Sequence, residues 1–537
     1  RIYGSLENLG LGDVTDATLQ PNFVAHAARA YYDNGGSRLY VVRAVNTGAV
    51  ASRTLITGAA DADNAFIRAR FPGAAYNGQV LFRTAARPAT VRTLATAPAG
   101  SLLGITVGDT ETLYTGSGAS WTNAADAALS LVGLAPEAVP GGAGAVANLL
   151  TLAVDVIDAD GYAQSWDELG FGAPHPRALA TALAQTPANR ADALGNLVWA
   201  QVGSGVDGFE LIAGIRALPA VVGDSAGRRL LLLSGGLDGN APITGAETDE
   251  GSYAAGFASL SALEDVSIVA APGSSAYADQ QAIQGALIGH AERRRSYRIA
   301  VLDSQPHRTP GDMRIARGRI DSKYAALYYP WVIASNPLAR PGRDDIPKEI
   351  ALPPSGFVSG IYARSDTQRG VYKAPANEVV TGALRFESDI NFAQQELLNP
   401  IGVNCLRYLS GRGYRVWGAR LASSDPEWKY VSDRRYFNYL EASIDRGSQW
   451  AVFEPNSERL WANVRQTISD FLYNEWRGGA LLGSTTEEAF FVRCDRSTMT
   501  QNDLDNGRLI CLVGVAIIKP AEFVIFRIGQ KTADARA

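Results

Sequence analysis

VSIVAAPGSSAYADQQAIQGALIGHAERRRSYRIAVLD, residues 266–303, carries the pattern on which the fold class turns. Its first apolar run, Val266 to Ala271, stops at Pro272-Gly273, and its last, Arg298 to Leu302, stops at Asp303. Both read as buried strands closed by turns, and Ala276 to Glu292 between them can supply a crossover helix. Strand, helix and strand in that order predict a largely parallel sheet. An earlier run, Leu230 to Leu233 before Ser234-Gly235-Gly236, fits the same pattern, so an α/β domain is predicted over 176–385.

The flanks read differently. From 46 to 175 the chain breaks into short β-prone runs between Gly, Pro, Thr and Asn, including VLFRTA (80–85) and LLTLAVDVI (149–157). A small β-rich domain is predicted there, with Ala135 to Ala147 as an exposed loop. At the start, Pro21 to Asp33 places Phe23, Val24, Ala27, Ala30 and Tyr31 on one helical face; Gly35 and Gly36 end the helix, and RLYVVRAV (38–45) reads as a strand. Beyond 385, one helix is predicted over Val431–Arg446 from Phe437, Leu440 and Ile444, with Gly447 as its stop. A second, Ser457–Arg477, carries the stripe Leu460, Trp461, Val464, Ile468, Phe471 and Leu472, with Ser457 as N-cap. Strands are predicted at Trp450–Glu454, Ala489–Cys494, Arg508–Ile517 and Ala521–Ile528. The whole reads as a multi-domain α/β (α+β) protein.

Composition narrows the function. At roughly 150 residues per domain, 537 residues predict three or four domains. A hydrophobic fraction of 46% and a charged fraction of 19% exclude wholesale disorder and fibrous repeats. The net charge of −5, from 49 basic and 54 acidic residues, supplies no basic field for a polyanion, so nucleic acid is not an expected partner. Cys405, Cys494 and Cys511 are too few and too scattered for a disulfide framework, and the odd count agrees with a reducing compartment. The longest apolar run, Leu509 to Ile518, is about half of the ~20 residues a membrane span needs. No membrane insertion is expected. The chain opens on Arg1 without a signal pattern, and native residues are expected ahead of it.

Two motifs look catalytic. Gly203 to Gly208 satisfies GxGxxG after an apolar run, but FELIAGIRALPAVV behind it lacks a clean helical stripe, and a lone match is weak. Gly223-Asp-Ser225-Ala-Gly227 satisfies GxSxG, but Arg228 to Leu233 reads as a strand where a nucleophile elbow needs a helix. A Ser225 hydrolase would also need a base, and none of His26, His175, His290 and His307 is assigned that role by spacing. There is no HExxH, no cysteine pair at ligand spacing and no Walker loop. No cofactor, metal or catalytic residue is expected, and Arg293-Arg294-Arg295 reads as the solvated end of a helix.

Six blocks in order carry a resemblance. They are DSKYAALYYPW (321–331), PPSGFVSGIYARSDTQRGVYKAPAN (353–377), LNPIGVNCLR (398–407), RGYRVWGARL (412–421), WAVFEPNSERLW (450–461) and TMTQNDLDNGRLICLVGVAIIKPAEFVIFRI (498–528). Weaker echoes are NGGSRLYVVR (34–43), ARFPGAAYNG (69–78) and LSGGLDG (233–239). With them the chain resembles, over nearly its whole length, the tail sheath protein family of contractile phages and contractile injection systems. It departs from the shortest members in its long 46–230 region, and from type VI secretion sheaths in carrying everything on one chain.

The resemblance implies a contractile sheath subunit that is not an enzyme, polymerised helically around an inner tube. Its implied partners are further copies of itself in stacked rings, the tube protein, and baseplate and terminal cap proteins, assembled in the bacterial cytoplasm as part of a phage tail or tail-like particle. The implied domains are an inner core from 1–45 plus 386–537, a β-rich outer domain at 46–175, and a subtilisin-like domain without catalysis at 176–385. Two elements are singled out. Glu522, Phe523, Val524, Ile525, Phe526, Arg527 and Ile528 form the expected inter-subunit arm strand, because an extended terminus can add to a neighbour's sheet edge. Arg459, Arg465, Asp470 and Glu475 are the expected tube-facing charges of helix 457–477. The competing classes are a serine hydrolase using Ser225 and a non-contractile structural or adhesive particle protein.

Overall fold

A computed structural model describes residues 23–45, 48–58, 64–159, 161–237, 242–337, 339, 341–342 and 347–522. The chain divides into two compact units, one continuous over Val45–Pro242 and one joining residues before 45 to those after 242.

The discontinuous unit begins with helix α1 (Phe23–Asp33), which buries Phe23, Ala25, His26, Ala28 and Ala30. The face is rotated from the predicted one: Val24 is exposed and His26 is inside. Gly35, at φ +103°, ends the helix as expected. Residues 38–45 form no strand. Leu39 to Val42 are exposed, and the segment is held instead by Arg38 Nη1 and Tyr40 Oη donating to Asp265 at 2.7 and 2.9 Å. β propensity is present there, but no described neighbour offers a ladder.

The continuous unit is antiparallel. Strands β1 (Arg53–Thr57) and β2 (Ala65–Ala69) form one small sheet with β9 (Val198–Val202). The larger sheet contains β3 (Gly78–Pro88), β4 (Ser101–Val107), β5 (Thr110–Ser117), β6 (Ser120–Asn123), β7 (Val146–Asp158), β8 (Ala163–Leu169) and β10 (Arg229–Leu233). Helix α2 (Gly208–Ala217) contributes Leu211, Ile212 and Ile215 to a core with Ile67, Phe82, Leu152 and Val154. The β-rich character matches the sequence reading, and 135–145 is a turn-rich, mostly exposed loop. Two readings change. β10 is not a parallel strand of the following domain: it pairs antiparallel with β3, Leu231 opposite Val80. Residues 176–242 therefore pack with 46–175, because an apolar run does not itself specify its partner.

Beyond 242 the predicted alternation is present. β11 (Ile268–Ala270), helix α3 (Gln280–Glu292) and β12 (Ile299–Asp303) form a parallel strand-helix-strand unit. After helix α4 (Pro310–Arg317), β13 (Ala325–Tyr329) adds parallel to β12, and every residue of both strands is buried. β14 (Val332–Ser335) and β15 (Glu349–Leu352) lead into helix α5 (Ser355–Arg369). Its N-terminus is tied to the sheet by Asp303, whose carboxylate accepts from Ser355 N and Oγ, both at 2.7 Å. The spacing in SGFVSG matters here. A Cβ at Gly356 would sit 2.6 Å from Ala27 Cα and one at Gly360 would sit 2.4 Å from Tyr31 O, so these glycines let α1 lie against α5.

β16 (Glu378–Val379), β17 (Ala383–Phe386), β18 (Val403–Leu409) and β19 (Gly413–Val416) follow. β18 pairs parallel with β13, Leu327 opposite Val403, giving the sheet order β11-β12-β13-β18-β19-β16. The sheet thus crosses the predicted boundary at 385, because its ladder joins segments far apart in sequence. α1 packs on α5, and its Phe23 and Ala30 share one apolar cluster with Leu406, Val416 and Leu421 beyond that boundary.

Candidate functional site

The C-terminal residues form a layer of two helices and a hairpin. Helix α6 (Val431–Gly447) takes in Gly447, the predicted stop, as its last residue. Its predicted stripe was incomplete: Leu440 is buried, but so are Asp433, Arg434, Arg435 and Asn438. Arg434 lies over the rings of Trp428 and Tyr324 at 4.3 and 4.7 Å and donates to Asn438 Oδ1 at 2.8 Å. Arg435 lies 4.6 Å over the Tyr362 ring and donates through both terminal nitrogens to Asp366 of α5, one at 2.9 Å. A bidentate pair with that little solvent is directional as well as attractive, and it fixes α6 on the core. Hydrophobic periodicity gave no sign of it.

Helix α7 (Glu458–Arg477) buries Leu460, Trp461, Val464, Ile468 and Leu472, as predicted. Ser457 holds the N-cap position in extended conformation without a side-chain capping bond. Of the four singled-out charges, Arg459, Arg465 and Asp470 are exposed, Asp470 accepting from Gln466 at 2.6 Å. Glu475 is not free. It accepts from the hydroxyls of Tyr436 and Tyr439 at 3.0 and 2.9 Å and so joins α7 to α6. The predicted strand at 450–454 is absent. A short 3-10 turn covers Gln449–Ala451, and Phe453 takes φ +69°, which no strand accommodates.

Past a short helix, α8 (Gln501–Asp505), the hairpin closes. β20 (Phe490–Arg493) pairs antiparallel with β21 (Leu512–Val515). Phe491 and Leu512 are each 51% exposed, and among the described residues no third strand joins this sheet. Just past β21, Leu482 N donates to Ala516 O at 2.8 Å and Leu481 bridges Ile517; the rest of this two-stranded sheet offers edge to which another strand can add. The hairpin also brings Cys494 and Cys511, which lie far apart in sequence, to the same end of its ladder and into one apolar cluster.

Glu522, the last described residue, is held inside its own chain. It accepts from Arg420 Nε and Nη2 at 2.7 and 2.6 Å, Asn399 Nδ2 at 2.6 Å and Tyr430 Oη at 3.0 Å. Burial pushes its carboxyl up, but Arg420 and these donors prevail and hold it below the usual range. Arg420 is itself placed by Asn404, whose Oδ1 accepts from Arg420 N at 2.6 Å. Glu522, expected as the first residue of the arm strand, is therefore an anchor inside its own chain. Phe523 to Ile528 lie outside the described residues. Asn399 and Arg420 sit inside two of the quoted blocks, so a signal for this anchor was present without a role attached.

The catalytic-looking motifs find other uses. Gly203–Gly208 does lead from β9 into α2, contrary to the sequence reading, yet β9 is antiparallel and Asp207 caps the helix by accepting from Glu210 N at 2.8 Å. Ser225 is exposed in a turn that enters β10, a strand. His26 and His290 are buried, and burial holds each ring down at about 4. His175 Nδ1 accepts from Arg177 N, and His307 is exposed beside Glu387. Among the described residues no cluster of His, Cys, Asp and Glu has metal-binding geometry.

Residues 246–420 match the family model described as the phage tail sheath protein central domain, and 423–531 match that of the phage tail sheath C-terminal domain. The two spans take in more than half of the chain. The chain belongs to the phage tail sheath protein family. This sheath protein is 26% identical over 267 residues to a prophage major tail sheath protein of Pseudomonas aeruginosa (strain UCBPP-PA14), covering 49% of the chain and 64% of that protein. It is 25% identical over 177 residues to the tail sheath protein of Enterobacteria phage T4, covering 32% of the chain and 26% of that protein. The matched regions thus span less than two thirds of these relatives. Among solved structures, the helical sheath of the anti-feeding prophage in its contracted state aligns at 33% identity and TM-score 0.47, covering 56% of this chain and 79% of that one. Both family spans lie in the discontinuous unit, with the parallel sheet, the α6–α7 layer and the hairpin.

Proposed function

We propose that this protein is a contractile sheath subunit: it polymerises helically around an inner tube and contracts from a metastable extended state, driving the tube through a target envelope. The two consecutive sheath family matches across 246–531 are the observation that carries the reading. Its partners are other copies of itself in stacked rings, the tube protein, and baseplate and terminal cap proteins, in a phage tail or tail-like particle assembled in the bacterial cytoplasm. It acts as a structural element and not as an enzyme. No helix among the described residues is long and apolar enough to cross a membrane.

Head-to-tail contacts that do not close generate helices, and the subunit must keep such contacts while its body rotates. The exposed β20–β21 sheet supports a strand-exchange mechanism, since backbone hydrogen bonds from a neighbour's arm would complete its edges. The arm assigned here is Phe523 to Ile528, which starts immediately after the Glu522 anchor. Force applied to the arm then reaches the core through Arg420 and Asn399. The parallel strands β11, β12, β13 and β18, with their crossover helix α3, support a subtilisin-like domain without catalysis. Contraction draws on packing free energy stored in the extended lattice. For the tube, Arg459, Arg465 and Asp470 offer exposed charges whose contacts are individually weak and can release.

Negative-stain electron microscopy of the purified protein, alone and with tube protein, tests the reading. Tubular polymers are expected; a protein that stays monomeric in both samples overturns it in favour of a non-contractile particle protein.

A further inference from the structure

Cys494 directly follows β20 and Cys511 directly precedes β21. The ladder pairs Phe490 with Val515 and Arg493 with Leu512, so one more step of the same register sets Cys494 opposite Cys511. Ala516 N donates to Ala489 O at 2.8 Å, which makes their pair the hydrogen-bonded kind. Alternation along the ladder then makes 494/511 the other kind, with Cα atoms about 4.5 Å apart. A disulfide needs roughly 4.4–6.8 Å. Both side chains belong to the same apolar cluster. Cys494 is buried and Cys511 half-buried, whereas Cys405 sits fully buried in a different apolar cluster, on β18.

We propose that Cys494 and Cys511 form an intrachain disulfide when the protein meets a small-molecule disulfide, a modification site that clamps the open end of the hairpin. Cys511, the more accessible thiol, loses its proton and attacks one sulfur of the small disulfide; that S–S bond breaks and one small thiol leaves. Cys494 loses its proton and attacks the mixed disulfide at Cys511, forming the Cys494–Cys511 bond and expelling the second small thiol. The two protons end on the two small thiols, so the protein dithiol is oxidised and one small disulfide is reduced. Burial pushes both thiols up, Cys511 to about 12, with the Arg465 guanidinium working in the opposite direction. Thiolate is therefore scarce at neutral pH and exchange is slow. The product is a long-lived clamp rather than a rapid sensor, and a reducing cytoplasm keeps it open until the protein leaves it. The bond closes residues 495–510, including α8, into a loop. Its value to a sheath, a hairpin that cannot splay under load, rests on the function proposed above; the chemistry does not.

The test uses the full chain, unassembled. The native protein is incubated with oxidised glutathione and in parallel with diamide, quenched with N-ethylmaleimide, digested without reduction and mapped by mass spectrometry. The expected result is one peptide pair joined at 494 and 511, with Cys405 recovered as the alkylated free thiol. Cys494→Ser should lose the link and retain glutathione on Cys511. Three free thiols after both oxidants, a stable glutathione adduct on wild-type Cys511 beside free Cys494, or any link to Cys405 would overturn the proposal. Amide exchange at β20 and β21 should slow several-fold in oxidised wild type and not in Cys494→Ser; unchanged exchange would remove the clamp. Tube formation is scored separately by microscopy, so failure of the sheath reading and failure of the disulfide are distinguished.

Discussion

β13 and β20 are both short apolar strands, and they meet opposite fates. β13 is paired on each side, by β12 and β18, and all five of its residues are buried. β20 has one partner and leaves Phe491 half in solvent. A strand that satisfies its backbone on both edges and packs on both faces belongs to the interior for good; one that satisfies a single edge is stable only by leaning on α7 and remains able to accept another strand. Under the function proposed above, the first region holds the subunit together and the second is the one that assembly would use.

Removing the arm should separate these roles most sharply. Deleting 523–537 leaves Glu522 and its donors in place, so far-UV circular dichroism should stay native while tubular polymers vanish from micrographs; normal tubes would sink strand exchange. Next in size is the core itself. Leu327→Ala in β13 should cost about 3 kcal/mol in denaturant unfolding, as buried leucine truncations do, whereas Phe491→Ala in β20 should stay within about 1 kcal/mol and weaken assembly instead. Similar losses for both would erase the contrast. Arg420→Met leaves the Glu522 carboxylate with Asn399, Tyr430 and Lys429, the last at 3.6 Å, and should cost about 2 kcal/mol, below the roughly 3–5 kcal/mol of a fully buried pair broken on one side.

A smaller effect is read against pH. Burial pushes the Asp303 carboxyl up to about 7, above its unfolded value near 3.8. Between those values the folded state holds a proton the unfolded chain has released, so this contribution is whole below about 4 and is lost as pH rises through 7. Asp303→Asn removes that loss, and its melting-temperature deficit against wild type should shrink between pH 5 and 8. His26 and His290 act the other way in both proteins, costing stability as pH falls from 6.5 toward 4, and cancel in the comparison. A constant deficit would show that Asp303 is ionised throughout. The slightest expected change is Arg465→Glu: unchanged folding, with a modest drop in tube co-assembly measured by co-sedimentation, and no drop at all would remove Arg465 from the tube-facing set.

Much of this was legible in the chain. The α7 stripe from Leu460 to Leu472 and the β11-α3-β12 unit were readable because a helix or a strand writes its burial at a fixed local period. RLYVVRAV and Trp450–Glu454 misled because propensity states what a segment tolerates, not whether a partner edge is there. Glu475 and Glu522 misled for a related reason. A charge in sequence looks available, and only the fold shows Tyr436 and Tyr439 on one, and Arg420 on the other.

The α/β class, the family resemblance and the buried face of α7 are all written in local order, and the chain's residues sufficed to read them. It took the tertiary structure to show that β10 turns back onto β3, that Leu327 meets Val403, that Glu522 ends as an anchor, and that Arg493 pairs with Leu512 beside the two cysteines. Those outcomes depend on register between segments far apart in the chain, and register is chosen by which arrangement buries the most apolar surface while leaving the fewest backbone groups unpaired.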